Sequence, residues 1–289
     1  MHPRLKPLAR SSGGFAMLAV DQREALRAMI EEKTGGIAPD SALREFKTTA
    51  TQVLSPHASG VLVDPQFGWQ AVVDSHAAAQ TCPLIAAVDQ FIPGETEFVA
   101  EAVIDRTLNF ERLVQQGALA FKLLVIWRPD GHPEARRSMV EEFVELCDKY
   151  DVASIIEPVA RPALSGVNTD INAGILEAAA ELGALGAHLY KAQVPTLGEG
   201  SDEDIFRACS QLTDSIDGPW VVLSSGVAAD RFPETVRIAC EAGGSGFLAG
   251  RAVWASAVGA NDLENHLTTA SIPRLQLLTA TVDEAMART

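Results

Sequence analysis

Eight short apolar runs rich in β-branched residues, each followed by an amphipathic stretch of helical period, most limit what this chain can become. The spacing predicts strands over residues 15–20, 60–63, 84–88, 121–126, 154–157, 188–191, 221–223 and 246–249. Helices are predicted over residues 40–54, 105–116, 134–150, 172–185, 202–212, 231–242 and 272–287. Strand and helix in alternation call for a parallel sheet, and eight repeats allow it to close on itself. Pro65, Pro129, Pro158, Pro195 and Gly226 follow strands as breakers. The expected fold is therefore an α/β (β/α)8 TIM barrel, a single domain over residues 1–289 with no low-complexity linker. An open doubly wound sheet is the alternative. Its Gly-rich turn is missing, since Gly13-Gly14 precedes the first run instead of following it.

The last predicted helix carries Leu275, Leu277, Leu278, Val282 and Ala285 on one broad face, fit to cover the barrel floor or a neighbouring subunit. No apolar run approaches the roughly 20 residues of a membrane span, and the first ten residues lack an apolar signal core, so a cytoplasmic protein is expected. A formal charge of −15 disfavours nucleic acid and anionic membranes as partners. Cys82, Cys147, Cys209 and Cys240 form no CxxC pair, which favours reduced, buried thiols. The six histidines show no HxH or HxxxH spacing, so no metal or other cofactor is expected; His188 reads as a buried, hydrogen-bonded side chain.

Barrel active sites form at the C-terminal ends of the strands, and polar groups collect there. In strand order they are Asp21-Gln22-Arg23, Asp64, Asp89-Gln90, Lys122, Glu157, Lys191, Ser224-Ser225-Gly226 and Gly250-Arg251. Taken singly these read as helix caps, a structural ion pair, a tight turn or a snorkelling arginine. Taken together, two lysines and neighbouring carboxylates at strand ends point to carbonyl chemistry. Lys191 is the predicted nucleophile, its protonation disfavoured by burial and by Lys122. Glu157 is predicted to shuttle protons, and Asp21 to take the proton of the hydroxyl whose collapse releases an aldehyde. Ser224, Ser225, Gly226, Gly250 and Arg251 read as an anion cradle after the last two strands, with Gln22 and Arg23 as further binding residues. Arg23, Arg128 and Arg161 are candidates for a second anion.

The segments Ser12-Gly-Gly-Phe-Ala-Met-Leu-Ala-Val-Asp-Gln-Arg-Glu24, Lys122-Leu-Leu-Val-Ile-Trp-Arg128, Ser154-Ile-Ile-Glu-Pro-Val159, Leu189-Tyr-Lys191, Pro219-Trp-Val-Val-Leu-Ser-Ser-Gly-Val227 and Ser245-Gly-Phe-Leu-Ala-Gly-Arg-Ala-Val-Trp254 carry a resemblance. Along nearly its whole length the chain resembles class I aldolases of the tagatose-bisphosphate aldolase type. It is more similar still to the bacterial sulfofructose-phosphate aldolases of sulfoquinovose breakdown. The resemblance implies a (β/α)8 barrel with Lys191 as the Schiff-base lysine, Lys122 and Glu157 beside it, and Ser225, Gly226 and Arg251 in an anion site. It also implies cleavage of 6-deoxy-6-sulfofructose 1-phosphate to dihydroxyacetone phosphate and sulfolactaldehyde. A tagatose or fructose bisphosphate aldolase and a catalytically idle sugar-phosphate sensor are the alternatives. The expected partner is a small anionic sugar phosphate or sulfonate, and a homo-oligomer is expected. Two positions depart from the family pattern: Gln193 stands in place of Glu, and Pro65 in place of a polar residue. Strand alternation turns Gln193 to the same side as Lys191, where an uncharged group is expected to ease the approach of an anion or to alter the proton affinity of the lysine.

Overall fold

In a computed structural model describing residues 1–288, eight parallel strands close into a barrel. They are β1 (Phe15–Ala19), β2 (Gly60–Val63), β3 (Leu84–Ala87), β4 (Ala118–Trp127), β5 (Ala153–Ala160), β6 (Leu189–Ala192), β7 (Trp220–Val222) and β8 (Gly246–Ala249). Each strand pairs with its sequence neighbours, and β1 pairs with β8 to complete the ring. Helices follow the strands and cover the outer face, as a (β/α)8 barrel requires. Both faces of the strands are covered, so they are apolar throughout except at Lys122, Ser154, Glu157 and Lys191. In β1, Phe15, Met17 and Ala19 pack inside the ring, whereas Ala16 and Leu18 pack outward against the helices.

Gly246 makes the closure between β8 and β1 possible. Its φ of 127° suits glycine, and a Cβ there would collide with the Phe15 carbonyl. The floor is sealed by a short 3-10 helix, Pro3–Leu8, whose Leu5 and Leu8 are fully buried with the inner layer of the barrel. The last helix, Ile272–Met286, therefore does not cover the floor. It packs on the side of the barrel against the helix Phe232–Glu241, with Val282 and Met286 beside Gly14 and Asp283 paired to Arg10 at 2.7 Å. Leu275, Leu278, Val282 and Ala285 are buried, but Leu277 is 55 % exposed and leaves the predicted apolar face.

Three elements differ from expectation. Pro158 does not end its strand: β5 runs through it, with Val125 opposite Pro158 and Trp127 opposite Ala160. Ala160, two residues on and so facing the same neighbour, already lies beyond the last β5–β6 backbone pair, and its N–H donates to a side chain instead. The missing N–H of Pro158 thus removes no ladder bond. Second, the helix expected over residues 105–116 shrinks to Phe110–Gln115, because Asp89–Ile92 and Glu101–Ile104 form an antiparallel hairpin after β3. Third, a helix, Glu24–Thr34, follows β1 ahead of the one predicted over residues 40–54. No helix among the described residues is long and apolar enough to cross a membrane.

Candidate active site

Period two carries the inner face of the barrel upward from an apolar layer into a charged one. Ala19, Ala120, Ile155 and Leu189 sit in the inner apolar cluster, and two residues later stand Asp21, Lys122, Glu157 and Lys191. All four are buried, and all four line a cavity of about 690 Å³ at the C-terminal end of the strands.

Their contacts form one chain of charge. Lys191 Nζ lies 2.8 Å from Glu157 Oε1, and Glu157 Oε2 lies 3.0 Å from Lys122 Nζ. Lys122 also meets Asp21 at 2.8 Å and Asp89 at 2.9 Å. Asp89 accepts in addition from the Leu124 N–H at 3.0 Å and from Arg23 at 2.6 Å. Burial alone would pull the Lys122 pKa down, but Asp21, Asp89 and Glu157 outweigh it and hold the ammonium well above the usual lysine range. Burial pushes Asp21 the other way, yet Lys122, Lys191 and the more distant Lys47 hold its carboxyl well below the usual carboxylate range. Lys122 is thus not the bare positive neighbour of Lys191 that the strand order suggested: Glu157 stands between the two amines, one oxygen on each.

Between Lys191 on β6 and Asp21 after β1, Ser224, Ser225, Gly250 and Arg251 line the same cavity, and Arg251 Nη2 donates to Ser225 Oγ at 3.1 Å. Gly226, expected to bind an anion, does not line it. Its φ of 86° makes the turn, and a Cβ there would stand 2.8 Å from Leu197 Cδ2, so its role is to let that turn pack. Gln22 lines the cavity with its buried Oε1 unpartnered. Arg23 lines it too, but its guanidinium is committed to Asp89 and stacks 3.9 Å above the Phe91 ring.

Several strand-end groups work elsewhere. Asp64 is wholly buried in a pair with Lys47, whose Nζ also donates to the carbonyls of Val20 and Gln22 at 2.6 Å each. This pins the turn that presents Asp21. Lys47 went unread in the sequence although the signal was there: it shares the buried stripe of its helix with Leu43, Phe46, Ala50 and Leu54. Gln193 turns to β5, where its Oε1 accepts from the Ala160 N–H at 2.6 Å, and it does not line the cavity. Pro65 also stays outside that cavity. His188 is half-buried and takes the Ser154 N–H at 2.9 Å. The four cysteines are free and buried, and burial pushes the Cys82, Cys209 and Cys240 thiols up to about 12.

A lysine and a glutamate in contact at the base of a barrel cavity are what amine-to-carbonyl condensation needs. Residues 15–256 match the family described as DeoC/LacD family aldolase. The chain belongs to that family. Among curated relatives, the tagatose 1,6-diphosphate aldolase 2 of Streptococcus mutans is 26% identical over 280 residues, covering 88% of this chain and 84% of its own. That of Enterococcus faecalis is 28% identical over 278 residues, covering 87% and 82%. Among solved structures, an archaeal fructose-1,6-bisphosphate aldolase with its catalytic Lys bound to the carbinolamine intermediate shares the fold with a TM-score of 0.64. It is 15% identical, and 97% of this chain and 98% of that one are covered. The fructose-bisphosphate aldolase of Plasmodium falciparum gives a TM-score of 0.71 at 15% identity, covering 97% and 93%. This DeoC/LacD aldolase is a class I, Schiff-base lyase of the tagatose-bisphosphate aldolase type.

Proposed function

We propose that this aldolase cleaves a ketose 1-phosphate through an imine on Lys191, releasing dihydroxyacetone phosphate and an aldehyde. The observation that carries this reading is the 2.8 Å contact between Lys191 Nζ and Glu157 Oε1, below a cavity walled by Arg251. Glu157 takes a proton from the Lys191 ammonium, and the freed amine attacks the ketone carbon. The same carboxyl protonates the carbinolamine hydroxyl, which leaves as water and yields the iminium. Asp21, kept ionised by its lysine neighbours, accepts the proton of the C4 hydroxyl. The C3–C4 bond then breaks: its electron pair moves toward the iminium nitrogen and leaves an enamine, while the C4 oxygen forms the aldehyde carbonyl. Protonation of the enamine at C3 and addition of water release dihydroxyacetone phosphate and regenerate the amine. Ser225, Gly250 and Arg251 hold the 1-phosphate in this scheme.

The substrate class is a ketose 1-phosphate charged again at its far end. The relatives named for tagatose 1,6-diphosphate support a second phosphate, and the resemblance to sulfofructose-phosphate aldolases supports a sulfonate. Borohydride reduction with dihydroxyacetone phosphate is expected to fix a mass adduct on Lys191 that Lys191→Ala abolishes. An adduct elsewhere, or none, overturns the mechanism. Turnover of tagatose 1,6-bisphosphate beside 6-deoxy-6-sulfofructose 1-phosphate then ranks the two substrates.

A further inference from the structure

Besides Arg251, Arg23 and Arg161 line the cavity and Arg128 pairs with Glu97 on its wall, and the commitments of the three differ. Arg23 is buried and bound to Asp89 at 2.6 Å. Arg128 is buried as well, paired with Glu97 and donating to the Pro162 carbonyl. Arg161 lines the cavity, yet among the described residues no hydrogen bond or ion pair reaches its guanidinium. Its backbone is fixed, because Arg161 N–H donates to the Trp127 carbonyl at 2.9 Å and continues the β5–β4 pairing. The side chain is open to solvent on the rim and crowded by protein below. Burial, Arg128 and Arg251 together lower its pKa against the pull of Glu97. A guanidinium set among like charges without a carboxylate of its own is a place for an anion to fill.

Ring order fixes what that anion belongs to. Arg161 follows β5, Lys191 is on β6, and Arg251 follows β8. Along the rim, the amine therefore stands between the two arginines. A ketose held at C2 by Lys191, with its 1-phosphate toward Arg251, extends its other end toward β5. Resting on the imine reading of Lys191, we propose that Arg161 grips the charged far end of the ketose and so sets the preference for substrates charged at both ends. Phosphate and sulfonate both offer a tetrahedral oxyanion to the planar guanidinium fork, and the substrates in the test separate them.

The test compares Arg161→Gln with the wild type on three substrates: a ketose 1,6-bisphosphate, 6-deoxy-6-sulfofructose 1-phosphate, and fructose 1-phosphate, which lacks the far charge. The expected loss in kcat/KM is roughly 30-fold for whichever doubly charged ketose the wild type uses, carried by KM, and under about 3-fold for fructose 1-phosphate. Equal losses on charged and uncharged far ends overturn the proposal, as does an unchanged preference. Arg161→Lys serves if the glutamine variant misfolds, with a loss of about 10-fold expected on the doubly charged substrate alone. Borohydride trapping of dihydroxyacetone phosphate on Lys191 reads the parent mechanism separately. If trapping fails in the wild type, calorimetric binding of the bisphosphate to wild type and Arg161→Gln still decides the role of Arg161: equal affinities reject it.

Discussion

Asp89 does as much as any residue of the site to fix its geometry, although it stands outside the cavity. One of its oxygens holds Lys122 and the Leu124 N–H, and the other holds Arg23. Replacing it by asparagine leaves two buried cations short of a carboxylate, and breaking such a buried network costs about 3 kcal/mol. Asp89→Asn is therefore expected to lower stability by that amount in urea unfolding and kcat by about tenfold, since Lys122 loses one of the groups that aim it. A variant with wild-type midpoint and turnover would remove Asp89 from this role. At this scale the sequence was legible wherever a charged residue continued the inner face of a strand. Asp21, Lys122, Glu157 and Lys191 do so, and the fold brings all four to one cavity. Gly226 and Gln193 lie outside that cavity, which sequence spacing could not say, because it does not tell whether a strand-end group meets the cavity or a neighbouring segment.

Among the elements, the helix Asp40–Leu54 shows how a distant segment holds the site. Its Lys47 crosses to the C-terminal ends of β1 and β2, tying two carbonyls of the Asp21 turn to Asp64. Burial lowers the Lys47 pKa despite Asp64, so charge retention depends on that pair. Lys47→Met strands a buried carboxylate and is expected to lower stability by about 4 kcal/mol, measured by equilibrium urea unfolding. A loss below about 1 kcal/mol would mean that the pair is dispensable. Element identity was readable because apolar runs and helical periods are local properties. The hairpin Asp89–Ile92 with Glu101–Ile104 was not, because it is made by pairing across a turn and at most half of either strand is buried. Pro158 misled for a related reason: whether a proline ends a strand depends on which neighbour its missing N–H would have faced.

The whole molecule carries a formal charge of −15 around a buried chain of paired charges, and that chain makes its stability depend on pH. Asp21 titrates lower in the folded chain than in the unfolded one, so its contribution is complete above about pH 4 and is lost as pH falls below that value. Lys122 titrates higher when folded, so its contribution is complete below about pH 10 and is lost as pH climbs past it. Between those limits Asp21 and Lys122 both keep their charge. Urea unfolding from pH 6 down to pH 3 is expected to show stability falling in acid, with a shallower fall in Asp21→Asn. Parallel acid limbs for the two proteins would exclude Asp21 as a source of the slope.

With Leu5 and Leu8 stoppering its base, the barrel is a vessel with one opening. Whatever enters must leave by the way it came. In the proposed scheme one fragment stays tethered to Lys191, so the untethered one departs first and water follows it down to free the rest. The plug leaves a single route in and out, and in the proposed scheme the covalent tether sets the order in which the two fragments use it.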